Sequence, residues 1–389
     1  MADDQSAINE LREMAATAGI RRIHLLAWRD LDDPEAGGSE LHAHEILRLW
    51  AEADLDINMR TSFAPGKSQV EWRDGYRVIR KAGRYMVFPR AAFSEMVGWH
   101  GARDALVEVW NGMPFLSPVW SRGPKMVWLH HVHDTMWEMS LPPRLAKLGR
   151  NIEFKYAPPA YKITRTPIVT LSQSSKQQLV DKLGFREKSV SVVPVGISAV
   201  YSPGGAKSLT PLVVACGRLV PVKQFHVLVD AMLRVRAAVP TAEFVIVGEG
   251  YERAALEQQI DTAGASEWIR LVGFVSEAEK VDWYRKAWVL ASGSAHEGWG
   301  MTVTEAAACG TPSVATDIAG HRDAVADGRS GLLVDAAGIA EALTRVLSDS
   351  TLREQLTRGA LEHSKQFTWA AAARDTLQVL CAQAQRHAR

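Results

Sequence analysis

This sequence has few cysteines, almost no net charge and no long apolar run. Its three cysteines, Cys216, Cys309 and Cys381, lie far apart, which excludes a disulfide scaffold and favours reduced thiols in a cytoplasmic setting. Lysine and arginine number 45 against 44 for aspartate and glutamate, so the balance gives no support for nucleic-acid binding. No apolar segment has the length that spans a bilayer. The acidic, polar first residues do not resemble a signal peptide.

The length and pattern of the chain predict two domains of α/β type. A chain of 389 residues exceeds what one ordinary hydrophobic core supports. Short apolar runs alternate with helix-length segments, and the series starts again after Gly196, which is typical of βαβ units and parallel sheets. We therefore expect two Rossmann-like domains that face across a cleft. Their ligand-binding loops should follow the carboxyl ends of the strands.

Local patterns give the expected elements. In the first half we predict a helix that starts at Ser39, with this serine as its cap. Strands are expected there at 23–27, 87–88, 106–110, 126–129, 168–171 and 190–193. In the second half, strands are expected at 212–216, 244–247, 269–272, 288–291, 312–315 and 331–334, with a helix at 301–309.

The most informative segment runs from His296 to Pro312. Glu297 lies in a strand-to-helix turn, and Glu305 lies about two turns into the helix. Between them, the first free N–H groups of the helix form an anion site. A carboxylate on each side of an anion site suits a ligand with hydroxyls at both ends and phosphates in the middle, such as a nucleotide sugar. The donor-binding residues expected here are Gly298, Trp299, Gly300, Met301, Thr302 and Glu305.

Two cations follow the first strand of the second half. Arg218 offers a planar fork for phosphate oxygens, and Lys223 adds a compact charge, so the two could neutralise a diphosphate without a metal. The alternative is a pair of solvated loop cations, and the nearby helix start favours the site. Gly248 permits close approach of a ligand. Val275 follows a strand end that could hold a nucleobase, although a core turn explains this segment equally well.

The first half offers a glycine pair and a histidine cluster. Gly37 and Gly38 precede a helix and let backbone N–H groups approach phosphates, although a plain turn explains them too. At a strand end stand His130, His131, His133 and Asp134. No further ligand lies at a metal-binding spacing, so we expect no metal. A histidine that faces a sugar is favoured, and the last three residues are candidate acceptor contacts.

These residues together resemble the retaining glycosyltransferases of family 4, the group 1 glycosyl transferases, which have the GT-B fold. The likeness covers nearly the whole chain. The segment from Glu297 to Glu305 resembles the family's two glutamates separated by seven residues, and Gly217–Leu219 with Lys223 resembles its diphosphate-binding arginine and lysine. The glycine pair resembles its N-terminal loop. The segment Phe367–Trp369 is similar to the point where the last helix crosses back to the first domain.

The resemblance implies a domain layout and a set of roles. Residues 1–196 would form the acceptor-side domain, 197–370 the nucleotide-sugar domain, and 371–389 the crossing helix. Glu297 would hold donor-sugar hydroxyls and Glu305 the ribose, while His130 would contact the sugar near the reacting carbon. The implied reaction is retaining transfer from a UDP- or GDP-linked sugar to an acceptor hydroxyl, without a metal or another cofactor. The catalytic set is therefore His130, Glu297, Arg218 and Lys223.

The sequence departs from the family pattern at three places: Gln224 where the family usually has glycine, Val195 where it usually has asparagine, and Ser292–Ser294 where it usually has a Pro-Ser pair. These departures leave local backbone contacts open. A non-catalytic nucleotide-sugar-binding protein and another GT-B enzyme, an epimerase or a phosphorylase, stay as alternatives. The acceptor is undetermined: a sugar, a lipid-linked glycan or a small metabolite.

The basic stretch from Arg144 to Lys162 is interpreted as a solvated helix face, with weak contact to a membrane surface as the alternative.

Overall fold

A computed structural model describes residues 2–388, and the chain divides into two compact units. Unit 1 consists of Met1–Gly196 and Thr368–Arg389, and unit 2 of Ile197–Phe367. Met1 and Arg389, which begin the first and end the last of the predicted domain segments, lie outside the described residues. Each unit is built on its own sheet, so the expected α/β class with two Rossmann-like sheets is confirmed.

The strands of both sheets are short and mostly buried. They are β1 Arg22–Leu26, β2 Asp56–Thr61, β3 Val70–Arg73, β4 Tyr76–Arg80, β5 Ala105–Val109, β6 Lys125–Trp128, β7 Ile168–Thr170, β8 Val190–Val192, β9 Leu212–Cys216, β10 Glu243–Val247, β11 Ile269–Gly273, β12 Val289–Ser292, β13 Ser313–Thr316 and β14 Gly331–Val334. Unit 1 has the order β3-β4-β2-β1-β5-β6-β7-β8, and unit 2 has the order β11-β10-β9-β12-β13-β14. All neighbouring strands pair in parallel except β3 and β4.

The helices connect these strands. They are α1 Ala2–Thr17, α2 Gly38–Glu52, α3 Val87–Met96, α4 Ser117–Trp120, α5 Met136–Ser140, α6 Pro143–Asn151, α7 Pro158–Thr164, α8 Gln173–Leu183, α9 Phe225–Ala238, α10 Arg253–Thr262, α11 Glu277–Lys286, α12 Met301–Ala308, α13 His321–Ala324, α14 Ile339–Ser348, α15 Ser350–Ser364 and α16 Trp369–Ala388. A π-helical turn, Ile152–Tyr156, joins α6 to α7. None of the described helices is long and apolar enough to cross a membrane.

The core of unit 2 explains why its strands could be read from the sequence. Strands β9 and β10 are continuous apolar runs, as expected for parallel strands covered on both faces. Helix α9 buries Phe225, Leu228 and Met232 against them, at helical spacing. All six strands predicted for this half are present within two residues of their expected bounds.

Two predictions for unit 1 are wrong, and three of its strands were not predicted. The expected strand at 87–88 is the start of α3, because Pro89 fits a first helical turn and Val87 and Ala91 share its buried face. Strands β2, β3 and β4 were not predicted, because charged residues interrupt their apolar pattern. The expected Ser39 cap is replaced: Gly37 stands before α2, and its N–H donates to the Glu40 carboxylate at 2.8 Å.

Candidate active site

The order of the unit 2 strands creates a topological switch point beside β9. The chain runs from β9 to β10 and β11 on one side and continues with β12 on the other. Ligands of open α/β sheets bind at the carboxyl ends of the strands where the order reverses. The loops that leave β9 and β12 at this point carry Arg218, Lys223 and Glu297. Their strand positions alone therefore bring the predicted charged residues to one edge.

An ion pair joins the two loops. The Lys223 ammonium contacts Glu297 Oε1, which also accepts a hydrogen bond of 2.8 Å from the Ser294 hydroxyl. The Ala295 N–H donates to the Val222 carbonyl at 2.8 Å and fixes the loops to each other. Burial works to raise the pKa of Glu297, but the charges of Lys223 and His321 and the hydrogen bonds from Lys223 and Ser294 together outweigh it and lower this pKa to about 2. Glu297 is therefore ionised at neutral pH.

The turn that holds Glu297 leads directly into α12. Gly300 adopts φ +101°, a conformation that favours glycine. The eight-residue helix α12 starts at Met301, and Thr302 is its second residue. The Val303 N–H already donates to the Gly300 carbonyl at 3.0 Å, so the amides of Met301 and Thr302 are the helix-start donors without an intrahelical acceptor, which is the basis of an anion site. Trp299 turns away into the protein: it is buried, and its ring packs edge-on against Phe367 at 4.9 Å between centroids.

Gly320 and His321 support this turn from behind. A Cβ atom on Gly320 would lie 2.7 Å from the Glu297 carbonyl oxygen, so a side chain is excluded there. The buried His321 ring faces Ser292 Oγ at 3.2 Å and the Thr316 carbonyl at 2.8 Å. Sequence analysis missed both residues. The Gly-His pair that closely follows the strand β13 was the available signal.

Glu305 lies deeper in the site than Glu297. Its Oε2 accepts a hydrogen bond of 3.1 Å from the Tyr284 hydroxyl and lies 3.4 Å from the Lys280 ammonium. Burial raises the pKa of Glu305. Tyr284 and Lys280 both come from α11, and sequence analysis did not identify them. Lys280 and Tyr284 are four residues apart, so they lie on one face of α11 and can contact the same group. Nothing in the sequence around them indicates that this group is Glu305.

The glycines of the neighbouring loops allow close backbone packing. Gly248 has φ +142°, and a Cβ atom there would collide with the Gly217 carbonyl oxygen. Val275 is half-buried two residues after β11. Arg218 is exposed at the loop surface. Gln224, the departure from the family's glycine, has φ +49°, so this position does require a left-handed backbone conformation.

The Ser292–Ser294 departure also has a structural role. Ser292 and Ser294 bond His321 and Glu297, and Gly293 packs closely on Leu228 of α9, where a Cβ atom would lie 3.2 Å from it. These small residues hold the glutamate loop in place of the Pro-Ser pair that the family usually has.

In unit 1, His130 follows the end of β6 by two residues and lies in a buried aromatic group. Its ring packs edge to face on His42 at 4.9 Å between centroids, and His42 in turn packs on Trp128 at 5.1 Å. Burial lowers the pKa of His130 well below its ordinary value. The ring is therefore neutral at pH 7.

The other histidines follow as a stacked pair. The rings of His131 and His133 are 4.7 Å apart, and the His133 backbone N–H donates to the buried Glu153 carboxylate at 2.7 Å. Asp134 is paired with Lys182 at 2.7 Å and with Arg150 at 3.2 Å. Among the described residues, no group of three or more His, Cys, Asp or Glu side chains is arranged to hold a metal ion.

The N-terminal glycine loop is tied to charged neighbours. The Glu40 carboxylate, which accepts the Gly37 N–H, also lies 3.4 Å from Arg29 Nε. Arg29 reaches Glu35 at 3.0 Å as well. One of the backbone donors expected for a phosphate is thus occupied by the protein's own carboxylate, while Gly38 begins α2.

The fold and this site define the class of the protein. Over 92% of this chain and 97% of the other, it superposes on sucrose-phosphate synthase from Thermosynechococcus elongatus with a TM-score of 0.77 at 19% identity. Anabaena HepE, solved in complex with UDP-glucose, superposes over 92% of this chain and 98% of that one, with a TM-score of 0.72 at 17% identity. The predicted GT-B class is confirmed.

The family follows from sequence comparison. Residues 203–363 match the family "Glycosyl transferases group 1". The D-inositol 3-phosphate glycosyltransferase of Nocardioides sp. is 32% identical over 92% of this chain and 89% of its own length. Other curated relatives of that name match over about half of their length. The chain belongs to the group 1 glycosyltransferases, so the predicted family and enzyme class are confirmed.

Proposed function

We propose that this protein transfers a sugar from a nucleotide-diphosphate sugar to an acceptor hydroxyl. The observation that carries the proposal is the meeting of Lys223, Glu297 and the start of α12 at the switch point of unit 2. These residues lie within the segment that matches the family. A positive charge, a helix N-terminus and an ionised carboxylate are what a sugar diphosphate needs: counter-charge for phosphate and acceptors for sugar hydroxyls.

The chemistry follows from how charge moves. Breaking the anomeric bond leaves negative charge on the diphosphate and positive charge on the sugar ring. Arg218, Lys223 and the first amides of α12 would stabilise the leaving group as its charge grows. Loss of one such donor costs about 3–4 kcal/mol of barrier in comparable sites. These groups supply the positive charge that a metal ion would otherwise provide, which supports the proposal of metal independence.

The remaining assignments follow the family resemblance. Glu297 holds hydroxyls of the donor sugar, and Glu305 holds the ribose, with Lys280 and Tyr284 fixing its carboxylate. His130 contacts the sugar near the reacting carbon, and its neutral ring suits that contact. We propose retention of the anomeric configuration, by a front-face route in which the leaving phosphate takes the acceptor proton.

The comparisons suggest which substrates to test first. HepE was solved with UDP-glucose, so UDP-sugars are the first donors, followed by GDP-sugars. The curated relatives are named for D-inositol 3-phosphate, which makes an inositol phosphate the first acceptor. Sugars, lipid-linked glycans and small metabolites follow.

The exposed Leu145 and Leu148 of α6 are assigned to a solvated helix face, with weak membrane contact as the alternative.

A donor screen tests the proposal. Release of nucleotide diphosphate is measured with each donor and acceptor, and the product is identified by mass and by the NMR coupling of its anomeric proton. Arg218→Ala and Glu297→Ala should each reduce transfer by at least about a hundredfold. Arg329→Ala and Glu354→Ala, exposed in the same unit, are the matched controls and should transfer normally.

The product decides between the alternatives. A glycoside of unchanged configuration supports the proposal, and activity that persists in EDTA supports metal independence. An epimerised donor or a sugar phosphate would instead identify an epimerase or a phosphorylase. Donor binding without any product would identify a binding protein. Full transfer activity in Arg218→Ala and Glu297→Ala would refute the site assignment.

A further inference from the structure

The segment before β9 contributes a buried tyrosine to unit 2. Tyr201 is 7% exposed, and its ring lies 6.1 Å from the ring of Tyr284, measured between centroids. The next residue, Ser202, accepts hydrogen bonds from the Arg285 guanidinium, at its carbonyl oxygen over 2.8 Å and at its hydroxyl over 3.0 Å. Tyr284 and Arg285 both belong to α11. The backbone around Tyr201 is therefore fastened to this helix.

The hydroxyl of Tyr201 is bonded to the first residue of the same helix. It donates to Oε1 of Glu277, whose other oxygen, Oε2, lies 3.2 Å from the Lys280 ammonium. The ammonium also lies over the ring of Tyr201, 5.2 Å from its centroid. The tyrosine thus contacts both members of an ion pair, one through its hydroxyl and the other through the face of its ring.

Lys280 connects this arrangement to Glu305. Its ammonium lies 3.4 Å from Glu305 Oε2, the same oxygen that accepts the hydrogen bond from the Tyr284 hydroxyl. Burial works to lower the pKa of Lys280, but the acidic groups around it, Glu305 and Glu277 foremost, outweigh burial and raise this pKa. Lys280 is therefore charged at neutral pH. Both contacts to Glu305 fall on Oε2, so neither of them occupies Oε1.

The ion pair between Glu277 and Lys280 needs a further partner to hold a fixed geometry. The side chain of Glu277 is 54% exposed, and a pair three residues apart on a helix surface is weak in water. The buried phenol gives this exposed carboxylate one defined hydrogen-bond donor. The carboxylate, held there, restricts the position of Lys280, and hydrogen bonds linked in this way support one another.

We propose that Tyr201 is a positioning residue for the ribose of the donor. This inference rests on the proposed function, in which Glu305 accepts hydroxyls of the ribose. Tyr201 fixes Glu277, Glu277 fixes Lys280, and Lys280 with Tyr284 holds the Glu305 carboxylate through Oε2. Oε1 is then available to the ligand. Tyr201 acts on the ribose through other side chains and belongs to none of the motifs of the donor site.

The test removes the hydroxyl of the tyrosine and the hydroxyls of the ligand in turn. Calorimetry measures the affinity of the full chain for UDP and GDP and for their dideoxy analogues, which lack both ribose hydroxyls. Tyr201→Phe keeps the ring, its packing and its contact with Lys280, so the fold is preserved. Tyr76→Phe is the matched control, because Tyr76 of unit 1 is also buried and its hydroxyl is bonded to His44 at 3.0 Å.

Tyr201→Phe should bind the nucleotide diphosphate about three- to tenfold more weakly than the wild type does. The dideoxy analogue should bind both proteins equally, because it offers Glu305 no ribose hydroxyl. Tyr76→Phe should match the wild type with every ligand. A tyrosine that only packs would instead weaken the nucleotide diphosphate and its analogue alike.

A second comparison tests the route through Lys280. Lys280→Met breaks the link between Glu277 and Glu305, so adding Tyr201→Phe to that variant should change its affinity by less than about twofold. Two independent effects would multiply instead.

The outcomes separate this inference from the proposed function. The inference alone is overturned if the wild type and Tyr201→Phe bind the nucleotide diphosphate equally well, or if Tyr201→Phe weakens the dideoxy analogue by the same factor. It is also overturned alone if the losses from Tyr201→Phe and Lys280→Met multiply. A wild type that binds neither UDP nor GDP would overturn the donor site itself, and the inference with it.

Discussion

The imidazole rings of His42 and His130 pack edge to face, with their centroids 4.9 Å apart, inside unit 1. Neither ring nitrogen of His42 has a hydrogen-bond partner among residues 2–388, and Nε2 of His130 has none either. Burial lowers the pKa of His42 to about 3. A buried polar group without partners is unfavourable by about 1–3 kcal/mol. His42 therefore packs as a ring, and its nitrogens add nothing to the stability of the described structure.

His42→Phe should keep or raise the free energy of unfolding. Phenylalanine preserves the aromatic contacts with His130 and Trp128 and removes two unpartnered nitrogens. His42→Ala should instead lower it by about 2–4 kcal/mol, because it leaves a cavity between the rings. Urea denaturation at pH 7.5 compares the three proteins. If His42→Phe is as unstable as His42→Ala, the nitrogens have partners that matter.

The same residue predicts acid sensitivity. Folded His42 stays neutral down to a pKa of about 3, whereas in the unfolded chain it takes up a proton near its ordinary value of about 6.5. The unfolded state then binds more protons, so stability falls as the pH drops from about 6.5 toward 3. His42→Phe should show a shallower fall over pH 7 to 4 in urea denaturation. Parallel curves for the two proteins would contradict this.

Sequence reasoning succeeded where local pattern and tertiary role coincide. Strands of unit 2 such as β9 are plain apolar runs, and the motif from Glu297 to Glu305 is contiguous, so both could be predicted. Strand β4 could not, because it ends at Arg80, which is fully buried and bonded to Asp30 at 2.7 Å. Asp30 lies 50 residues from Arg80 in the sequence. Without knowledge of this pairing, an arginine is not expected at a fully buried strand position.

The support of the site was unpredictable for the same reason. Lys280 contacts Glu305 across 25 residues of sequence, and His321 faces Ser292 across 29. Lys280 belongs to no short motif, and the Gly320-His321 pair by itself does not point to Ser292. Their roles follow from packing of α11 against α12 and of α13 against the end of β12, which only the folded chain brings together.

Gly320→Ala should weaken donor binding, whereas Gly328→Ala should not. Both glycines have positive φ, +86° and +69°, so alanine strains each backbone by about 1 kcal/mol. At Gly328 a Cβ atom meets nothing within 4 Å, but at Gly320 it would press on the Glu297 carbonyl and shift the turn before α12. Thermal unfolding should show a larger loss for Gly320→Ala than for Gly328→Ala, because only Gly320→Ala adds a clash with backbone atoms to the conformational strain. The KM for the donor should rise in Gly320→Ala alone, and equal values would refute the coupling.

Lys280→Met should make donor binding more sensitive to acid. Burial already raises the pKa of Glu305, and the ammonium of Lys280, 3.4 Å away, opposes that rise. Without this charge the carboxyl group protonates at a higher pH and would, in its proposed role, accept ribose hydroxyls less well. The midpoint of donor affinity against pH should move upward, while Lys286→Met, exposed on the same helix, leaves it in place. An unchanged midpoint in Lys280→Met would show that Glu305 does not act as a carboxylate acceptor.

Lys223→Met should destabilise unit 2 most strongly at neutral pH. It leaves the Glu297 carboxylate, whose side chain is only 15% exposed, without its cation, at a cost of about 3 kcal/mol. In the wild type the lowered pKa of Glu297, about 2, contributes stability that is fully present above about 4.5 and disappears as the pH falls toward 2. The variant lacks that contribution at every pH, so its deficit should shrink between pH 7 and pH 3. Lys223→Met/Glu297→Gln removes both charges and should recover part of the loss at pH 7. A deficit that stays constant with pH, measured by urea denaturation, would mean that the ion pair is not what lowers the pKa of Glu297.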